Sequence, residues 1–130
     1  MTVTQIQKYK KKSIPQLIKL ATKYFNKFIR QRDKICISCG AGVDHAGHYL
    51  SAGHHSAHRF NELNTNGQCL RCNNFLHGNL INYRKGLVKK IGLERVEILE
   101  GTAHKPFKWD RFMLIEIIEK YKDYANNPNI

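Results

Sequence analysis

Two Cys-x-x-Cys pairs constrain this chain more than any other feature: Cys36 with Cys39, and Cys69 with Cys72, in the spacing C-x2-C-x29-C-x2-C. They hold all four cysteines. Thiolates are the preferred ligands of a tetrahedral zinc ion, and a Cys-x-x-Cys turn lets two sulfurs converge on one metal. In a reducing compartment this pattern reads as a metal site rather than as disulfides or a redox pair. The segment between and around the pairs, Ile35 to about Gly78, is rich in Gly, Asn, His and Cys. It is too polar to fold on apolar contacts alone, and a structural zinc supplies the staple. Four thiolates also close the coordination shell. The zinc therefore accounts for folding, and any chemistry must come from side chains it holds in place.

Helical patterns flank this centre. Residues 1–12 read as a basic flexible arm ending in Lys10, Lys11 and Lys12. Ser13 suits an N-cap and Pro15 a first turn. Leu17, Leu20, Ala21, Tyr24, Phe25, Phe28 and Ile29 then recur at helical spacing, predicting an amphipathic helix over 13–33. "HYL" (48–50) and "NGQCL" (66–70) read as short strands. After Gly78, Asn79 is either a cap or a site residue, and Gly92 can end the helix that follows. "LERVEILE" makes a second helix closed by Gly101, and Trp109 to Ala125 a third. The expected fold is α+β and mainly helical: one domain over 13–130, with a helix at 13–33, a zinc-stapled ββα centre at 35–78 and a helical part at 79–130.

The 130 residues carry 22 Lys and Arg against 10 Asp and Glu, a net charge of +12. Such an excess speaks of partners rather than fold, and nucleic acid is the leading one. Lys10, Lys11, Lys12, Lys23, Lys27, Arg30, Arg59 and Arg84 are the candidate DNA contacts; for the helix residues a solvated face is an equal alternative. No stretch approaches the roughly 18 apolar residues of a membrane span, and "MTVTQIQKYKKK" lacks the apolar core of a secretory signal. The cytoplasm is the expected location, with no membrane partner.

"DHAGHYLSAGHHSAH" (44–58) holds five of the seven histidines. Read with the second Cys pair, the chain presents His48, then Asn64, then Cys-x-x-Cys, then Asn73 directly after Cys72. This order resembles the HNH, or ββα-metal, nucleases, and Asn after the last cysteine is similar to the arrangement in the phage junction-resolving enzyme endonuclease VII. "CISCGA", "AGHY", "HRFNELN", "QCLRCN", "GNL", "YR" and "LVKKIG" resemble, over about 33–100, the NinG (Rap) recombination proteins of lambdoid phages.

The resemblance implies a phage- or prophage-encoded endonuclease in a bacterial host, cutting Holliday junctions and D-loops during recombination. His48 takes the role of general base, Asn64 orients it, and Asn73 is a ligand of one catalytic Mg2+ or Mn2+. A neutral imidazole suits the base role near neutral pH, and magnesium needs few protein ligands. One position departs from the HNH pattern: where a metal ligand precedes the base, this chain has Gly47. His45 or Asp44 is the expected substitute, His45 foremost. His77 lies four residues after Asn73 and on a helix would face the same way; it is either a further ligand or a surface residue. His54, His55 and His58 read as a solvated loop or as phosphate contacts beside Arg59. The alternative function is a zinc-stapled DNA-binding accessory protein without catalysis. Two opposed nicks call for a two-fold homodimer, and recombination proteins of host or phage are further expected partners.

Overall fold

The structure is a computed structural model that describes residues 1–126, with side chains through Tyr124. It contains five helices in these residues: α1 (Val3–Lys8), α2 (Ile14–Arg32), α3 (Leu80–Ile91), α4 (Leu93–Gly101) and α5 (Arg111–Asn126). Two strands, β1 (His45–His48) and β2 (Thr65–Gln68), form one antiparallel sheet. The described residues divide into two compact units, residues 1–28 with 108–126, and residues 29–107.

In the first unit α2 starts where the sequence places it. Ser13 and Gln16 cap each other's backbone N–H, at 2.8 and 3.3 Å, which satisfies two donors that a helix start leaves open. Leu17, Ala21 and Phe25 of α2 are fully buried, as are Leu114, Ile115 and Ile118 of α5. Phe25 meets Tyr121 edge-on at 4.9 Å. The N-terminal segment differs from the flexible arm expected of it. Thr2 and Gln5 form a capping box for α1. Tyr9 is buried, its hydroxyl donating to Glu119 at 2.6 Å while its carbonyl accepts from Arg111. An aromatic anchor nine residues in outweighs the charge of its neighbours, although Lys10, Lys11 and Lys12 are exposed.

The second unit is built around polar strands. β2 reads Thr-Asn-Gly-Gln, yet all four residues are buried, so its side chains must find partners inside the protein. Asp33 provides one anchor. Its carboxylate accepts from Arg32 at both oxygens, at 2.8 and 2.9 Å, from the Gly67 N–H at 2.8 Å and from Lys90 Nζ at 3.1 Å. Arg32 and Lys90 also reach Asn66 Oδ1. This network ties the end of α2 and the end of α3 to the middle of β2. Its apolar complement is a cluster of Tyr83, Leu87, Val96 and Leu99 from α3 and α4, with Ile37, Tyr49 and Leu50 packed against it. Gly86 permits α3 to lie against the first cysteine turn: a Cβ there would stand 2.0 Å from the Ile37 carbonyl oxygen.

Smaller differences from the sequence reading have local causes. β1 runs from His45 to His48, so "HYL" begins only where the strand ends. Asn79 has φ 46° and makes no side-chain cap for α3; its amide points at the Cys72 sulfur, 3.5 Å away. The helix that carries Cys72 and Asn73 is a single π-helical turn, Arg71–Phe75. His77, at φ 50°, lies beyond it in a left-handed bend.

Candidate metal centre and active site

The four cysteine sulfurs all lie within 4.8 Å of one another, with Cys39 and Cys69 3.6 Å apart. A tetrahedral zinc with Zn–S bonds of about 2.3 Å needs sulfurs roughly 3.8 Å apart, so the group fits the ion without rearrangement. The turns are shaped for it. Cys36 N–H donates to Ala41 O at 2.6 Å, Gly40 N–H to Cys36 O at 2.8 Å and Ile37 N–H to Gly67 O at 2.9 Å. The last bond joins the first knuckle to β2. Burial pushes the Cys36 thiol up, but backbone N–H groups of Cys69, Cys39 and Ser38 outweigh it and bring it down to about 7. Burial pushes Cys72 up to about 12. A bound metal ion favours the thiolates, whose protons pass to solvent as it binds.

The second cysteine turn and the sheet bring further residues together. Asp44 Oδ2 accepts from the Leu70 N–H at 2.8 Å, capping the turn that carries Asn73. That bond engages one carboxylate oxygen of the exposed Asp44. Asn73 Nδ2 is 3.1 Å from His45 Nδ1. His45 pairs with Gln68 and Gly47 with Asn66 across the sheet, and alternation puts His45 and Gly47 on one face. A Cβ on Gly47 would stand 3.1 Å from Asn73 Oδ1 and 1.9 Å from Gln68 Oε1. Gly47 is thus a glycine because two amide oxygens converge on the space beside it.

His48 follows at the end of β1. Its Nε2 is 2.8 Å from the Arg59 carbonyl oxygen. A carbonyl only accepts, so Nε2 carries the proton and a neutral ring keeps its lone pair on Nδ1. Burial holds His48 below the usual histidine range, against the pull of the Arg59 carbonyl. Asn64 is fully buried and acts through the backbone. Its amide donates to Leu50 O at 3.0 Å and His58 O at 3.2 Å, and its oxygen accepts from Leu50 N–H at 2.8 Å. It clamps the residue after Tyr49 to the turn that presents the Arg59 carbonyl. Tyr83, at the sheet's back, donates from its hydroxyl to Gly47 O at 2.7 Å.

The expected site residues therefore fall into groups. Cys36, Cys39, Cys69 and Cys72 come together, as do His45 and Asn73. Asn64 and His48 are linked through the Ser56–Arg59 turn. Among the described residues no hydrogen bond joins His48 to His45 or Asn73; the backbone of Ala46 and Gly47 is the connection. His77 does not stack on Asn73, because the helical spacing assumed for the pair is interrupted after Phe75; it is exposed. The histidine-rich loop is anchored rather than free. His58 is buried between Asn61 and Thr102, and His55 Nδ1 is 2.6 Å from Ala103 O. Of the candidate DNA contacts, Lys23, Lys27 and Arg30 are exposed on α2. Arg84 is engaged with Glu100 through two 2.9 Å bonds, and Arg59 is half-buried. Gln68, whose Oε1 also meets the Gly47 position, is a residue that the sequence reading does not single out.

A family model described as Bacteriophage Lambda NinG protein matches residues 2–127. The chain is 38% identical over 119 residues to protein ninG of Escherichia phage lambda, covering 85% of this chain and 58% of that protein. Protein ninG of Salmonella phage P22 gives the same figures, and that of Escherichia phage 933W is 37% identical, with 59% of its length covered. The chain thus spans less than two thirds of these relatives. No solved structure matches it. With its cysteine turns, sheet and following helices all inside the matched residues, the chain belongs to the NinG family.

Proposed function

We propose that this protein is a divalent-metal-dependent, structure-specific endonuclease that cuts branched DNA, including Holliday junctions and D-loops, in phage recombination. The observation that carries the reading is the convergence of His45, Asn73 and Gln68 on Gly47, one residue from a half-buried His48. The ring tautomer of that histidine is fixed by a backbone carbonyl. A zinc-stapled binding module has no need of such an arrangement.

In this reading DNA phosphate enters above Gly47. His48 Nδ1 accepts a proton from water as it attacks phosphorus, and the Nε2–H bond to Arg59 O keeps the ring aimed while it is charged. Asn64 holds that carbonyl in place. Asn73 and His45 offer one amide oxygen and one ring nitrogen, a donor set that suits Mg2+ or Mn2+. Such an ion, when bound, stabilises charge on the phosphate and on the departing 3′ oxygen. The products are a 5′ phosphate and a 3′ hydroxyl. Zinc in the four-cysteine site fixes the turn that carries Asn73. A homodimer on the junction supplies two opposed nicks; sedimentation of a junction complex with two chains per DNA supports this, and one chain argues against it.

The test compares a labelled four-way junction with a linear duplex of the same sequence, in Mg2+ and in EDTA. Cuts confined to the branch point and dependent on Mg2+ support the reading. Binding without cleavage in every divalent metal assigns the protein to the non-catalytic, accessory class.

A further inference from the structure

We propose that Gln68 supplies, from β2, the metal ligand that Gly47 cannot, with its Oε1 taking the place of the absent side chain beside His48. The inference rests on the endonuclease reading above and extends it to a residue outside the His48, Asn64 and Asn73 set.

Three observations converge on Gln68. Its side chain is fully buried. Its orientation is fixed, because Nε2 donates to Ser38 Oγ at 2.9 Å and to Gly78 O at 2.7 Å; the Gly78 carbonyl accepts only, so the amide cannot be turned over. Oε1 must then face β1, and there it has no hydrogen-bond partner although it is buried. A carbonyl oxygen in that state carries a desolvation penalty that native proteins rarely leave uncompensated.

The space Oε1 faces is the one a side chain at position 47 would fill, 1.9 Å from the ideal Cβ. Asn73 Oδ1 faces it too, and Asn73 Nδ2 holds His45 at its rim. Two amide oxygens thus lie on one side of Gly47, one of them buried without a donor, and together they offer a cation two oxygen ligands. A hard divalent cation takes oxygen ligands and keeps several waters, so few protein atoms suffice. Gly47 and Gln68 are in this view one device: the glycine opens the space and the glutamine fills it from the neighbouring strand. Because the donors are neutral, the negative charge that balances the ion comes from the DNA phosphate. Metal binding is accordingly weak without DNA and stronger with it.

The experiment measures Mn2+ binding by the electron paramagnetic resonance of the free ion, with and without uncut junction DNA. It compares the full chain, Gln68→Met, Asn73→Ala and the swap Gly47→Asp with Gln68→Ala, with zinc content as the check on folding. The proposal expects Gln68→Met to keep its zinc and bind Mn2+ about tenfold or more weakly, and the swap to recover most of that loss. If Asn73→Ala weakens Mn2+ binding and Gln68→Met leaves it unchanged, Gln68 is no ligand and the metal-site reading stands without it. If the unaltered chain binds Mn2+ no better than Asn73→Ala, with or without junction DNA, that reading falls and takes the Gln68 proposal with it. Should Gln68→Met lose its zinc, the side-chain amide resonances of Gln68 in the unaltered protein decide: movement on adding Mg2+ supports the ligand role, and no movement overturns it.

Discussion

At the scale of single residues, Gly47 changes meaning between sequence and structure. In the sequence it is a missing ligand. In the structure it is a space bounded by Gln68 Oε1 and Asn73 Oδ1. Replacing Gly47 with Ala must displace Gln68. The expected cost is about 1–3 kcal/mol of stability, as for overpacked sites, measured by urea unfolding, together with at least a tenfold loss of junction cleavage. Stability and cleavage at the level of the unaltered chain would show that the space is not used. The place of His45 beside Asn73 follows from its register on β1, while Asp44 caps the turn that carries Asn73. The place of His77 was not legible, since a spacing of four residues implies a shared face only while the α-helix continues. Gln68 was invisible because its role depends on a cross-strand neighbour that is fixed only once the register is known.

At the scale of elements, the helices were legible and the sheet only in part: the strand read at 66–70 overlaps β2, while the one read at 48–50 shares only His48 with β1. Long amphipathic stripes such as Leu17–Ile29 announce themselves by period. β1 and β2 are four residues each, polar, and buried by a hydrogen-bond network, so neither alternation nor apolar content marks them. Their stability comes from Asp33 and from the cysteine turns. Burial would raise the Asp33 carboxyl, but Arg32, the Gly67 N–H and Lys90 hold it down to about 2. A carboxyl lowered from an unfolded value of 3.8 stabilises the fold above that pH and loses its contribution as pH falls towards 2. Asp33→Asn is therefore expected to cost about 2 kcal/mol at pH 7, with the gap from the unaltered chain closing below about pH 4. Chemical denaturation of both proteins across that range checks it, and a gap independent of pH would refute the assignment. The cysteine turns give a second expectation. Chelation, or Cys72→Ser, should release about one zinc per chain and unfold the sheet, seen as rapid amide exchange at Thr65–Gln68. Slow exchange in zinc-free protein would mean that the polar network alone suffices.

At the scale of the whole molecule, the net charge of +12 is what the proposed binding of DNA draws on. No helix among the described residues is long and apolar enough to cross a membrane. Lys23, Lys27 and Arg30 are exposed at helical spacing on α2. Changing all three to Ala should weaken junction binding and flatten the dependence of log affinity on log salt by about 2–3 units, the value for three phosphate contacts; an unchanged slope would mark that face as merely solvated. The central claim concerns His48, and one measurement meets it directly: the cleavage rate of a four-way junction in Mg2+ by the unaltered chain and by His48→Ala, with binding measured in parallel. The account predicts Mg2+-dependent cuts near the branch point, and a variant that binds within about threefold of the unaltered chain yet cuts at least about 100-fold more slowly, as loss of a general base requires. Cleavage by His48→Ala at the original rate, or a chain that binds junctions and cuts them in no divalent metal, would contradict it.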